Sequence, residues 1–564
     1  MEAVNQKPAA SPELLQELTR SECSALPRPM VWGWMFFLLV LVSGFSIINW
    51  NETYWDFGDG NYLYVGQRIL EGLVPYRDIL APQPPLHQVG AAVCQWFGEG
   101  VFGSALVGAR LYTLLQRLLC VMLIFCVARE WFRSDVHGLV AATIYAFLPI
   151  GFWWSIGVQS ENLELVFLLI GFWGVLRLEK NSLLWGGVGS ALAMHCNMTA
   201  VPYFLSNVVF LAARRPRLLG WYLATALPIW GVIAGVTWFW AGPDYLDNVI
   251  FNQVGSFPRE ELSGQSLLSY AWGKITSQGY EVWILEGQFI LLGLAALAYR
   301  WGQSLNYLER KSDDFRRFEY AAWYCIGMFL SICFTAKGGT VNYIFVLGEP
   351  AVALLAADGI VRGLRVVLKG WSPSLNAASV LFLSVVLICA NPNAFRNIQY
   401  TVEGIQAELP YRERIGLGNP PRMLNTVQEA RALIEETTQP GDPILAPPFY
   451  AWLTHRKVAG EFAENYLWTI KYQNERYDLS QGIASEPGPA ILKVQELAEQ
   501  IRNREIPLLF MDDKLTGKIA PLRNALAGNY ERYAPFPTFH SRHNIIEVYV
   551  PLQPTAVASR ISSE

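Results

Sequence analysis

Charge is scarce in this sequence: 16% of its 564 residues are Asp, Glu, Lys or Arg, while 52% are hydrophobic. Soluble domains carry about 25% charged residues, so the composition excludes an ordinary soluble enzyme. It also excludes a disordered chain, which requires low hydrophobicity and high charge. No Lys/Arg tract stands out and the net charge is only -4, which removes the electrostatic footprint of a nucleic-acid binder. Cysteine makes no disulfide framework: Cys94, Cys120, Cys126, Cys196, Cys325, Cys333 and Cys389 fall in apolar stretches, and Cys23 lies in a polar leader. The six histidines are scattered and no CxxC or HxxxH spacing occurs, so no zinc ligand set is legible. Internal repeats and low-complexity tracts are missing as well.

What the chain has instead is a series of long apolar runs, the mark of a polytopic α-helical membrane protein. Residues 1–30 contain Glu13, Glu17 and Glu22 and no apolar centre, so they read as a cytoplasmic leader and the run from Val31 to Ile48 as a retained first span. Lys/Arg placement orients the rest. Arg129 and Arg133 follow a second span, about 103–128, and a third at 136–154 leads out to the polar turn "VQSEN". A fourth returns to "RLEK". The uncharged stretch from Asn181 to Ala213 has basic residues at both ends and must go in and come back. At 1.5 Å per residue it is short for two full crossings, so two short helices broken around Asn197 and Pro202 are expected. Further spans are expected at 217–240, 284–300, 318–335, 340–357 and 374–391, making about eleven crossings. The run 84–98 reads as an interfacial helix, because counting it as a crossing would invert every later loop. Residues 31–391 thus form a membrane body with outer loops at 49–102 and 241–283. Residues 242–281 show no convincing element, and loops of that length are commonly lids.

Beyond residue 392 helix and strand signals alternate. "VQEARALIEET" and "ILKVQELAEQIRN" read as helices, and "PILA", "IPLLFMDD" and "NIIEVYV" as strands. Residues 392–564 are therefore expected to form an outside-facing soluble α/β domain.

The outer loop 49–102 is dense in polar groups. Its stretch "GDGNYLYVGQRILEGLVPYRDILAPQPPL" resembles the first outer loop of the GT-C superfamily of polyprenyl-phosphate-sugar-dependent glycosyltransferases, which includes protein O-mannosyltransferases and lipid A aminoarabinose transferases. "GARLYTLL", "QSENLELVFLL" and "NYIFVLGEPAVALLAADG" follow in the order that likeness implies. The resemblance implies an integral membrane enzyme that moves a monosaccharide from a polyprenyl-phosphate carrier to a lipid, glycan or protein acceptor, with inversion. The lack of any organelle address points to a bacterial inner (plasma) membrane, and the Lys/Arg placement puts the polar loop, with the expected active site, on its outer side. Where relatives carry Asp-Glu this chain has Gly58-Asp59, so the family's outer-loop carboxylate maps to Asp59 or, with a small shift, to Asp56. Where relatives often carry a phosphate-binding lysine, this chain has Gln83.

The chemistry accounts for the pattern. An acceptor hydroxyl needs a general base, which typically supplies about 10² to 10⁴ in rate; Asp59 or Asp56 is the candidate. The departing phosphate needs fixed positive charge; Lys337 in "TAKGGTVNY" and Arg77 are the candidates, against plain readings as a snorkelling lysine and as an ion pair of Arg77 with Asp78 or Glu71. Glu161, Asn162, Tyr62, Asp78, Gln83, His87, Asn342 and Tyr343 are candidate sugar or acceptor contacts. For Glu161 the plain alternative is a helix-dipole role. His195 and Asn197 read as satisfied core groups. Glu349, a carboxylate inside an apolar run, is costly and should face a partner or cavity. Carboxylate spacing does not decide whether a divalent metal such as Mg²⁺ or Mn²⁺ takes part. Two other function classes compete: a transporter, which predicts repeated halves and mid-membrane charge, and a non-catalytic envelope scaffold.

Overall fold

A computed structural model describes residues 26–50, 57–81, 83–251, 266–304, 319–320, 342–367, 373–407, 421–462, 489–512, 516–533, 538–540 and 545–552. Helix α1 (Arg28–Ile48) is long and apolar enough to cross a membrane; α2 (Phe57–Leu70) and α3 (Pro85–Phe102) follow, and α4 (Ala105–Phe132) is the next helix of that kind. Ser104 caps α4 by accepting from the Val107 amide, so the end of the loop and the start of the span coincide. Helix α3, read from sequence as interfacial, exposes Val89, Val93, Trp96 and Phe97 along one side while burying His87, Ala91 and Gln95 on the other.

The third expected span is not one helix. α5 (Asp135–Phe147) stops at Leu148, and Pro149 starts a separate short α6 (Pro149–Trp154). Proline cannot donate to the preceding turn and so breaks the ladder there. α7 (Ser160–Leu176) and α8 (Lys180–Met194) follow, then a break at His195–Asn197, a 3-10 turn (Met198–Ala200) and α9 (Val201–Arg214). The interruption of the uncharged stretch thus falls where its length demands one. α10 (Pro216–Ala241) is the next long span. Among the described residues, four helices are long and apolar enough to cross a membrane, or five if the bent pair Ala378–Ala390 and Pro392–Gln399 counts as one. About eleven crossings were expected; several of those fall on the shorter helices α5 to α9, and 318–335 lies almost wholly outside the described residues.

Two expectations about the second half change. The outer segment 242–281 is not without structure: Asp244–Phe251 is helical, and α11 (Leu267–Ser304) begins well before the apolar run at 284. The tenth expected span does not run straight from 340. A 3-10 turn (Asn342–Leu347) precedes α12 (Glu349–Val367), which starts on Glu349 itself. α13 (Pro373–Ala390) and α14 (Pro392–Ala407) meet at a sharp bend of 86°.

The C-terminal part has α15 (Pro421–Thr437), β1 (Pro443–Ile444), α16 (Pro448–Leu453), β2 (Lys457–Val458), α17 (Pro489–Arg502), β3 (Leu509–Asp512), α18 (Ala520–Leu526), β4 (Tyr530–Arg532), β5 (Thr538–His540) and β6 (Ile545–Pro551). β6 is flanked by β3 and β4, all antiparallel, with β5 also pairing β6. β1 and β2 pair in parallel, and a Leu445–Leu509 bridge links the two sheets. The expected helices and strands are present, but the strands are few and short. Their core is also not separate: Tyr62, Leu63, Tyr64, Ala91 and Val158 belong to the same buried cluster as Phe449, Trp452, Phe462 and Leu509.

Candidate functional site

Asp59 sits in the first turn of α2, where a carboxylate suits the helix dipole. It is fully buried, and the partner that makes this tenable is Arg110 of α4. Arg110 Nη1 donates to Asp59 Oδ1 at 3.0 Å and Nη2 to Oδ2 at 2.9 Å, a two-pronged pairing. The Val158 amide adds a third bond to Oδ1 at 2.6 Å. Arg110 is itself completed by the carbonyls of Trp50 and Ile156, and Thr113 Oγ1 donates to Ile156 as well. A carboxylate offers about four acceptor positions; among the described residues these three donors leave one on Oδ2.

One turn along α2, Tyr62 donates to Ser160 Oγ at 2.8 Å. Ser160 and Glu161 open α7, and both are buried. Glu161 Oε2 accepts from Ser160 Oγ at 3.2 Å and Oε1 from Asn197 Nδ2 at 2.9 Å, while Asn197 also reaches Ser160. Asn197 is available because the hairpin breaks there. Its side chain caps the 3-10 turn, and Thr199 in that turn donates to both oxygens of Glu164. Three chain segments far apart in sequence thus bring Asp59, Tyr62, Ser160, Glu161 and Asn197 into one buried polar cluster.

The other candidates have different settings. His87 is buried edge-on to Tyr62, ring centroids 4.3 Å apart, and burial pushes its imidazole down to about 3, so it is neutral. Asn162 spends its amide on the Trp154 and Gly157 carbonyls. Arg77 pairs with Asp78 at 2.9 Å; the hydrogen bond from Arg77 holds the Asp78 carboxyl below its ordinary range. The plain ion-pair reading of Arg77 therefore describes it. Gln83 accepts through its backbone carbonyl from Tyr76 and Gln88. Asn342 and Tyr343 lie in the 3-10 turn that contacts α6 and α7. Asp56 and Lys337 lie outside the described residues. Among the described residues no three His, Cys, Asp or Glu side chains gather as a metal set.

Arg110 and Asn197 were not singled out for this site by sequence reasoning. A signal for Arg110 existed, since an arginine inside an apolar helix needs a partner. For Asn197 the signal was the broken hairpin itself.

The family model for dolichyl-phosphate-mannose-protein mannosyltransferases matches residues 84–240, which include Arg110, Glu161 and Asn197. Among solved structures, ArnT from Cupriavidus metallidurans bound to undecaprenyl phosphate is similar with a TM-score of 0.51 at 14% identity, covering 90% of this chain and 97% of that one. Its apo state gives the same values. The archaeal oligosaccharyltransferase AglB from Archaeoglobus fulgidus, solved with an inhibitory peptide and a dolichol-phosphate, has a TM-score of 0.49 at 12% identity, covering 93% of this chain and 75% of that one. No curated protein matches the sequence significantly. An ArnT-like course over most of the chain, and a mannosyltransferase-family match over residues 84–240, make this a membrane protein with the fold of the GT-C glycosyltransferase superfamily.

Proposed function

We propose that the protein transfers a monosaccharide from a polyprenyl-phosphate carrier to an acceptor on the outer side of a bacterial plasma membrane, with inversion at the anomeric carbon. The observation that supports this reading is the cluster of Asp59, Tyr62, Ser160, Glu161 and Asn197 at the starts of α2 and α7 and the break before α9, with Asp59 paired to Arg110. Asp59 is the proposed base. Its remaining acceptor position on Oδ2 takes the proton of the acceptor hydroxyl. The acceptor oxygen then bonds to the anomeric carbon, and the bond from that carbon to the phosphate oxygen breaks with its electron pair on the phosphate. Arg110 keeps the carboxylate aimed throughout, which is worth more in a buried setting than in water. Tyr62, Ser160, Glu161 and Asn197 supply donors and acceptors of the kind that sugar hydroxyls need. Lys337 is the proposed cation for the departing phosphate.

The test is mass spectrometry of cell-envelope glycans from cells with the gene, without it, and carrying Asp59→Asn or Glu161→Gln. Loss of the gene should remove one monosaccharide from an envelope component. Asp59→Asn should lower its level by about 10² or more at normal protein abundance, and Glu161→Gln by less. An unchanged envelope in the gene deletion would refute the transfer reading, and full transfer by Asp59→Asn would refute the base.

A further inference from the structure

Among the described residues, Glu286 and Glu349 are two of the buried carboxyl groups of the membrane body that the reaction above does not use. Glu286 comes from the middle of α11 and Glu349 from the first residue of α12, and neither is exposed to any degree. They meet at the start of α6. Proline 149 has no amide hydrogen, so the first donors of this helix are the amides of Ile150 and Gly151, which have no partner within the helix. Glu286 Oε1 accepts from Ile150 at 3.3 Å, and Glu349 Oε1 accepts from Gly151 at 2.5 Å. The remaining oxygens, Glu286 Oε2 and Glu349 Oε2, have no donor among the described residues, and the two carboxyls are held side by side on consecutive backbone amides. Two buried carboxylates held side by side repel one another, and a hydrogen on one of them removes the repulsion and supplies a donor for the other. Among the described residues, the charged and titratable groups near them are Arg117 and Cys120 from α4 and Tyr145 from α5. One guanidinium balances one negative charge, not two.

The position of the pair gives it a consequence. Six to eight residues downstream of Ile150, the same stretch of chain supplies the Ile156 carbonyl to Arg110 and the Val158 amide to Asp59. Ser155 is tied back to Gly151 by its backbone amide. Gly151 cannot be replaced freely, because a Cβ there would run into Glu349 Oε2.

We propose that Glu286 and Glu349 hold a single proton between them and, through the amides of Ile150 and Gly151, act as positioning residues for the turn that holds Asp59 and Arg110. The catalytic consequence rests on the reading of Asp59 as base; the shared proton and the positioning of the turn do not. Removing the proton leaves two facing carboxylates, and their repulsion loosens the start of α6. A glutamine in place of one glutamate keeps a donor at any pH.

Infrared difference spectra and hydrogen exchange of the full-length protein in detergent test this. The wild type should show a protonated-carboxyl C=O band at neutral pH that Glu286→Gln removes. Exchange at residues 150–158 should rise about tenfold in Glu286→Leu and stay near wild type in Glu286→Gln. Raising the pH should increase exchange there in the wild type relative to Glu286→Gln. Where Glu286→Leu does not fold, Gly151→Ala serves as the second variant and should raise the same exchange. Absence of the band, or equal exchange in the leucine and glutamine variants, would overturn the proposal. If Asp59→Asn transfers sugar normally while the band and the exchange behave as expected, the base assignment fails and the carboxyl pair stands.

Discussion

Arg110 shows how a membrane helix tolerates a permanent charge. Its guanidinium has two bonds to Asp59 and one each to the Trp50 and Ile156 carbonyls, so each side of the fork meets an acceptor. Removing one partner of such a pair leaves an uncompensated buried charge, which costs about 3–5 kcal/mol, whereas replacing both by apolar groups is often neutral. Arg110→Met should therefore lower the thermal midpoint in detergent sharply. Arg110→Lys should be intermediate, since an ammonium cannot match both carboxylate oxygens at once. The double variant Asp59→Leu, Arg110→Met should recover most of the midpoint without recovering transfer. A double variant as unstable as Arg110→Met alone would show that the pair does not govern stability here. Asp59 could be picked out from its loop because of its neighbours in sequence. Arg110 lies 51 residues away, and no local pattern announces which distant acid an intramembrane arginine will meet.

At the level of elements, periodicity and length revealed most of the helices, and the shortness of the Asn181–Ala213 stretch demanded the break that holds Asn197. Less legible was how apolar runs are cut. Pro149 splits a run that reads as one span, and Gly348 separates the 3-10 turn from α12, because burial against neighbouring helices lets short pieces survive that would not span alone. Packing of α7 on α8 was equally hidden. Here Gly171 and Gly174 face Gly186 and Gly189 so closely that a Cβ at Gly189 would stand 2.5 Å from the Phe167 carbonyl and the Gly171 amide. Small residues let membrane helices approach backbone to backbone. Gly189→Ala should push α7 and α8 apart at a cost of about 1–3 kcal/mol, the usual range for overpacking. Gly231→Ala in α10, where a Cβ meets nothing within 4 Å, should leave the thermal midpoint unchanged. Equal midpoints for the two variants would mean that the α7–α8 crossing is looser than its geometry.

Across the whole molecule, the C-terminal part and the outer loop hold each other. Glu461 is the centre of the junction: its carboxylate accepts from Arg68 Nε at 3.1 Å and from Tyr64 Oη at 2.8 Å, and its backbone carbonyl accepts from the Leu80 amide. Tyr64 Oη in turn accepts from the Val458 amide, and burial raises that phenol well above its ordinary pKa, so it stays a donor to Glu461. Trp452 donates to Gln95 on α3, and Phe449 packs against Gly60, the neighbour of Asp59. The helix that carries the proposed base is therefore braced by residues some 400 positions later, as the separation of 397 between Tyr64 and Glu461 records. Hydrogen bonds to charged groups contribute about 1.5–3 kcal/mol each. Glu461→Ala should then raise hydrogen exchange across residues 57–70 by roughly ten- to a hundredfold, because local opening follows local stability. Exchange in α8 should change far less, since the bond of α2 to this part of the bundle goes through Tyr62 to Ser160 of α7. Transfer should fall together with the protection of α2, and Glu461→Gln, which keeps an acceptor for Tyr64 but loses the charge facing Arg68, should lie between the two. If Glu461→Ala leaves α2 as protected as in the wild type, the outer loop holds its shape without the C-terminal part, and Asp59 owes its position to Arg110 and the Val158 amide alone.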